Sequence, residues 1–174
     1  MKISILLPYK EDYSSHYAGA DSIFINDTLK LNKYKKNITV YGNTKFKKKL
    51  FKNYVNITLK RKLIQSLSKD YVLNFLKEEE KAKSTLIEIH NRPLYFKYLQ
   101  NIQYPKKILY FHNDPLEMQG SKKLSERLNL INELDKIIFN SNWSKQRFIH
   151  GFDKADRIST KLIVIKQSTN KVRI

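Results

Sequence analysis

Two segments of the sequence follow one plan: an apolar run, then His-Asn, one charged residue, and Pro. They are His90-Asn91-Arg92-Pro93 and His112-Asn113-Asp114-Pro115. A neutral imidazole donates or accepts at a substrate hydroxyl, the Asn amide offers both functions, and the Pro stiffens the turn that aims them. On neighbouring strands, two such turns converge on a single cleft. A third candidate is Gly19 in Tyr17-Ala18-Gly19-Ala20, directly ahead of helix-type sequence. A glycine there lets the backbone approach a phosphate, and the helix N-terminus supplies amides and partial positive charge.

Other chemistries are excluded or lack their residues. The chain has no cysteine, which removes disulfide scaffolds, thiolate zinc sites and cysteine nucleophiles together. There is no G-x-G-x-x-G and no G-x-x-x-x-G-K-[ST], so neither a dinucleotide fingerprint nor a P-loop is claimed. His16 and His150 have no partner at metal-ligand spacing, and no H-E-x-x-H or carboxylate cluster occurs; no metal site is expected. Several residues have a plain structural reading beside the chemical one. Arg92 would meet a substrate phosphate or pair with Glu88 or Asp114, and Asp114 before Pro115 is a common turn former. Glu88 interrupts an apolar run and belongs at a crevice or an edge. Trp143 is read as a core aromatic, and Glu78-Glu79-Glu80 as a solvated helix end.

The elements that must position these groups alternate from end to end. Strand-type runs fall at Ile3–Leu7, Ile38–Tyr41, Thr85–Ile89, Lys107–Phe111, Lys136–Asn140 and Leu162–Ile165, with Tyr54–Leu59 a weaker seventh. Helical spacing links Ala20, Ile23, Phe24, Thr28 and Leu31, and again Leu63, Ile64, Leu67, Tyr71, Val72, Phe75 and Leu76. Further helices are predicted over Leu94–Ile102, Ser121–Leu134 and Trp143–Ile149, the last capped by Ser141 or Asn142. Strand–helix alternation demands crossover connections and a parallel sheet covered on both faces. The expected fold is α/β, a Rossmann-like doubly wound sheet of six to seven strands in one domain. In such a sheet, ligands bind beyond the carboxyl ends of the strands, where both His-Asn turns stand.

With 174 residues, 41% hydrophobic and 12% aromatic, the chain is a folded domain despite its net charge of +18, for a disordered chain lacks that much apolar side chain. Of the 34 basic residues only 6 are Arg, and planar, bidentate reading of phosphates or bases favours Arg over Lys. Residues 1–62 carry 14 basic against 4 acidic groups, which predicts one cationic flank. Within it, Lys45, Lys47, Lys48, Lys49 and Lys52 form an exposed loop, read first as solvated and second as attracted to anionic lipid headgroups. Nucleic acid ranks last, because Phe46, Phe51 and Tyr54 interleave the lysines but no recognised motif accompanies them. The apolar run at the N-terminus is short and closed by Pro8, so no spanning or targeting segment is expected and the protein is read as cytoplasmic.

The order of these segments resembles the N-terminal domain of GT-B-fold glycosyltransferases of family 4, which retain anomeric configuration and use nucleotide sugars. The resemblance rests on an N-terminal strand with Gly19 at the first helix, Ile87-Glu88-Ile89-His90-Asn91-Arg92-Pro93, Leu109-Tyr110-Phe111-His112-Asn113-Asp114-Pro115, Ile137-Ile138-Phe139-Asn140-Ser141-Asn142-Trp143-Ser144-Lys145, and Lys161-Leu162-Ile163-Val164-Ile165. It implies that His112 faces the transferred sugar as the catalytic histidine, with Asn113 and Asp114 on its loop. It likewise implies that Gly19 lies near the donor diphosphate, although Ala18 replaces the glycine usual before it. Ser141 matches the serine opening the helix after the next strand, and His90, Asn91 and Arg92 match a loop with acceptor or donor-edge contacts. A nucleotide-diphosphate sugar is the implied donor, with no further cofactor, and the implied acceptor is a glycan or a lipid-linked acceptor at the inner face of the membrane. The C-terminal donor-binding domain has no counterpart here: Ile165-Lys166-Gln167-Ser168-Thr169-Asn170 replaces the usual crossing segment, and the chain stops at Ile174. A fragment, or a half-enzyme served by a partner chain, is the expectation. The alternative is a non-catalytic basic module for a phosphorylated or sugar ligand, a membrane surface or RNA.

Overall fold

A computed structural model describes residues 1–59, 66–100, 102, 105–153 and 159–167. Among them are seven strands: β1 (Ile3–Leu6), β2 (Ile38–Gly42), β3 (Tyr54–Asn56), β4 (Leu86–His90), β5 (Lys106–Phe111), β6 (Lys136–Phe139) and β7 (Leu162–Val164). They form one sheet in the order β3-β2-β1-β4-β5-β6-β7, every pairing parallel. This is the Rossmann-like architecture expected from the alternation. Connection direction switches between β1 and β4, so the crevice belongs above their carboxyl ends, beside Leu7 and His90.

The two faces are covered unequally. Helix α1 (Ala20–Leu31) packs Ile25 and Leu29 on one face against Ile5, Leu7, Ile38 and Val40. The other face carries α2 (Leu67–Ala82), α3 (Leu124–Glu133) and α4 (Asn142–Phe148), whose Phe75, Leu130 and Phe148 join Leu6, Ile89, Phe111 and Phe139 in the larger core. Alternation along each strand explains the split, since neighbouring side chains point to opposite faces.

Local chemistry fixes the helix ends. Ser66 caps α2 by accepting from Lys69 N at 3.2 Å, and Ser141 caps α4 by accepting from Ser144 N at 3.1 Å. Hydroxyls at these positions satisfy amides that the helix leaves unpaired. Leu63 and Ile64, assigned to the second helix from the sequence, lie outside the described residues.

Four readings are corrected. The helix expected over Leu94–Ile102 is a 3-10 segment, Pro93–Tyr98; its tight i→i+3 turns, such as Tyr95 N to Arg92 O at 3.0 Å, align side chains three apart, and Pro93, Phe96 and Leu99 are buried at that spacing. The third long helix starts at Leu124 rather than Ser121, because the Ser121 hydroxyl is already bonded to Pro115 O at 2.6 Å and Glu126 caps the Lys123 amide at 3.0 Å. Trp143 is not core: it is 60% exposed, with the Arg147 guanidinium 5.8 Å from its ring. Glu79 is not solvated: it is buried, and its carboxylate accepts from Ser4 Oγ and from Ser84 N at 2.7 Å, the donors that make a buried carboxylate tolerable.

Candidate functional site

The residues singled out at the strand ends meet at the carboxyl edge of β4 and β5. His90 closes β4 and is completely buried, and His112 follows β5 with its side chain 8% exposed. Their rings stack 5.1 Å apart, and His90 Nδ1 lies 2.8 Å from His112 Nε2. Behind them, His90 Nε2 lies 2.7 Å from Glu88 Oε1. In front, Gln167 Nε2 lies against His112 Nδ1. Tyr110 stacks on both imidazoles, at 4.5 Å from His112 and 5.4 Å from His90, and Phe24 of α1 meets His112 edge-on at 4.8 Å.

Burial and the neighbouring His90 push the His112 pKa down to about 3, since a charged ring there would lose its water. At neutral pH His112 is therefore an uncharged imidazole that can give one hydrogen bond and accept one. Asp21 Oδ1 stands 3.9 Å from His112 Nε2, too far to take its proton directly.

Asn91 ties the crevice together. Its backbone is left-handed, with φ of 50°, a conformation Asn adopts more readily than most residues. From there Nδ2 donates to Asp21 Oδ1 at 2.8 Å, and Oδ1 accepts from His112 N at 2.8 Å. One buried side chain so links α1, β4 and the loop after β5. Arg92 meets neither Glu88 nor Asp114, contrary to the pairing considered from sequence; its guanidinium turns back to Asn91 O at 2.7 Å. Asp114 bonds Leu116 N at 3.0 Å, the turn expected of it, and pairs with Arg147 at 2.9 Å. That pairing, with the Leu116 amide, outweighs partial burial and holds the Asp114 carboxyl below its ordinary range.

Gly19 is the N-cap of α1, but its amide end already faces a carboxylate. Glu11 Oε1 accepts from Ser22 N at 3.1 Å, and a Cβ at position 19 would collide with the same carboxylate. Asn113 is exposed on the lip, and Ser141 serves as the cap of α4. Sequence reasoning missed Asp21, Phe24 and Tyr110 as parts of the cluster, and Asn140, whose Nδ2 donates to His112 O at 2.7 Å. Only Glu88 and Gln167 carried a signal: a carboxylate inside an apolar strand, and a polar residue following one. A cavity of about 760 Å³ opens beside the cluster, walled by Phe24, Asp27, Glu88, Tyr110, Lys166 and Gln167 among others. Among the described residues, no group of three or more His, Asp and Glu is placed to hold a metal, and no helix is long and apolar enough to cross a membrane.

No protein-family model and no curated protein matches the chain. Solved structures do. HepE of Anabaena, crystallised with UDP and glucose, matches 98% of this chain at 16% identity with a TM-score of 0.65. Sucrose-phosphate synthase of Thermosynechococcus elongatus matches 98% at 11% identity and a TM-score of 0.64. The fold matches half of a GT-B enzyme. A UDP-N-acetylglucosamine 2-epimerase also shares it, over 94% of this chain at 13% identity and a TM-score of 0.54, so the fold by itself does not choose the reaction. The chain spans 45%, 49% and 48% of these three chains, about half of each.

Proposed function

We propose that this chain is the acceptor-side domain of a retaining, family 4 type glycosyltransferase, which moves a sugar from a nucleotide-diphosphate sugar to a glycan or lipid-linked acceptor. One observation carries the reading: an uncharged imidazole, His112, stands at the carboxyl end of β5 with Nδ1 against the Gln167 amide, and Gln167 lines the neighbouring cavity of about 760 Å³. A sugar hydroxyl replacing that amide donates to Nδ1, which is the contact a transferred sugar needs to be oriented without charge. The fold shared with nucleotide-sugar enzymes supports the choice of ligand.

In the proposed reaction the bond from anomeric carbon to diphosphate breaks as the acceptor oxygen bonds to the same face. The departing phosphate oxygen takes the acceptor's proton. Diphosphate charge is stabilised by a second lobe, on the same polypeptide or on a partner, so this lobe alone binds donor weakly and turns over little. Arg92, Asn113, Asp114, Ser141 and Gly19 form the rim in this proposal, with the buried Asn91 holding the loops beneath them and Asp114 holding its own turn.

Titration of the chain with UDP-glucose by NMR tests this. Shifts centred on His112 and Gln167, lost in His112→Ala, are expected; shifts that survive that substitution unchanged defeat the assignment. A second reading, a non-catalytic basic module at a membrane surface, is favoured by the Lys45–Lys52 loop, where Phe46 stacks on the exposed Tyr17 at 4.2 Å. Salt-sensitive sedimentation with anionic vesicles, without any response to nucleotide sugar, would select it, and steep salt-dependent RNA binding would point to nucleic acid instead.

A further inference from the structure

The contacts behind His112 decide which of its two nitrogens carries the proton. We propose that Glu88 and His90 are positioning residues: they fix His112 as the Nε2–H tautomer and so keep its Nδ1 unprotonated, an acceptor on the side where Gln167 lies. This deepens the site assignment above and rests on it for its functional meaning, but its geometry stands alone.

The chain of protons follows from valence. An ionised Glu88 only accepts, so the 2.7 Å contact places the proton of His90 on Nε2. With His90 taken as neutral in this proposal, its Nδ1 carries a lone pair and His112 Nε2 donates across the 2.8 Å contact. His112 Nδ1 is left as a lone pair, and it faces the Gln167 amide nitrogen. Each member is satisfied and none needs to be charged except Glu88, which is only part-buried and borders the 760 Å³ cavity. The rings cannot turn away easily, for Tyr110 stacks on both and Phe24 closes the edge.

The titratable and charged groups facing His112 are Asp21 from α1, Glu88 and His90 from β4, and Tyr110 from β5; Lys166 lines the adjoining cavity beside Gln167. Asp21 is held by Asn91 Nδ2 at 2.8 Å and stands out of hydrogen-bond range of His112, so it does not compete for the Nε2 proton. The arrangement is the familiar logic of a carboxylate fixing a histidine tautomer, extended across a second imidazole. His90 itself is fully buried and has no direct reach to substrate. That reassigns it from a contact residue, as read from its motif, to a relay between a carboxylate and the imidazole that meets the ligand.

The test is ¹⁵N NMR of histidine side chains in the full chain, with no ligand present. The unaltered protein should show His112 as Nε2–H, with a resolved through-hydrogen-bond coupling between His112 Nε2 and His90 Nδ1. In Glu88→Leu no acceptor remains for the His90 Nε2 proton, so the preference of His112 for Nε2–H falls by about tenfold or more. Glu88→Asp should leave the His112 tautomer as it is. An Nδ1–H tautomer of His112 in the unaltered protein, or no coupling, overturns the proposal even if the variants fail to fold. An unchanged ratio in a folded Glu88→Leu does the same. If the relay is present but UDP-glucose leaves His112 unmoved, the relay stands and the functional reading falls.

Discussion

The two His-Asn-x-Pro turns share a sequence plan and differ in almost every contact. At the end of β4, Asn91 is buried, left-handed and bonded on both sides of its amide. At the end of β5, Asn113 is exposed, and the work of shaping the loop passes to Asp114, which caps the following turn and pairs with Arg147. The histidines differ as well: His90 is fully buried between Glu88 and His112, whereas the outer nitrogen of His112 meets Gln167, a residue that lines the neighbouring cavity. The difference comes from neighbours. The β4 end lies under the start of α1, which supplies Asp21, while the β5 turn meets α4, which supplies Arg147. One motif therefore yields a buried joint in one place and a partly exposed turn in the other.

The largest effect should appear when the two asparagines are exchanged for alanine. Asn91→Ala removes one buried and one part-buried hydrogen bond and leaves an alanine at positive φ, for a loss of about 3 kcal/mol in equilibrium denaturation. Asn113→Ala should stay within about 0.5 kcal/mol, and equal losses would erase the distinction between the turns. The histidines give the next effect. The unfolded chain protonates His112 as pH falls through the ordinary 6.5, while the folded state resists until about 3. Stability therefore rises with pH across that window, and as pH drops below about 6.5 the folded state loses ground progressively. Melting curves of the protein against His112→Gln should diverge on acidification, and a slope that the substitution leaves untouched would disprove the buried, neutral ring.

Asn91→Gly sharpens the backbone share of the first comparison, recovering about 1 kcal/mol relative to Asn91→Ala by relieving the left-handed strain. The smallest effect belongs to Asp114→Asn. Its folded pKa is depressed below 3.8, so its contribution is present above that value and vanishes as pH falls through the lower, folded one. Because the pair is partly exposed, the loss at neutral pH should be under about 1 kcal/mol, with a flatter acid limb as its signature.

Much of the architecture was legible because its signals are local. Alternation of apolar runs with helical spacing announced the parallel sheet, and residue type offered Ser141 or Asn142 as a helix cap, of which the structure uses Ser141, and Asp114 as a turn former. Trp143 and Glu79 were misread because exposure is a property of neighbours: an indole on a helix's first turn has a core only if an element lies over it, and a carboxylate in an acidic run is solvated only if no serines wait at the next strand. Leu94–Ile102 had helical composition, but burial of Pro93, Phe96 and Leu99 at a spacing of three goes with the tighter turns.

For the site, the types and order of His90, Asn91, His112 and Asn113 were set along the chain, as was their placement at strand ends, since strand length and proline fix where a run stops. Which histidine is buried, which asparagine bends left-handed, and which nitrogen carries a proton were decided in three dimensions. Those outcomes depend on Asp21, Phe24, Glu88, Tyr110 and Gln167 arriving from other elements within hydrogen-bond or stacking distance. A residue's chemistry is written in its side chain, but its protonation, tautomer and reach are set by the groups folding brings against it.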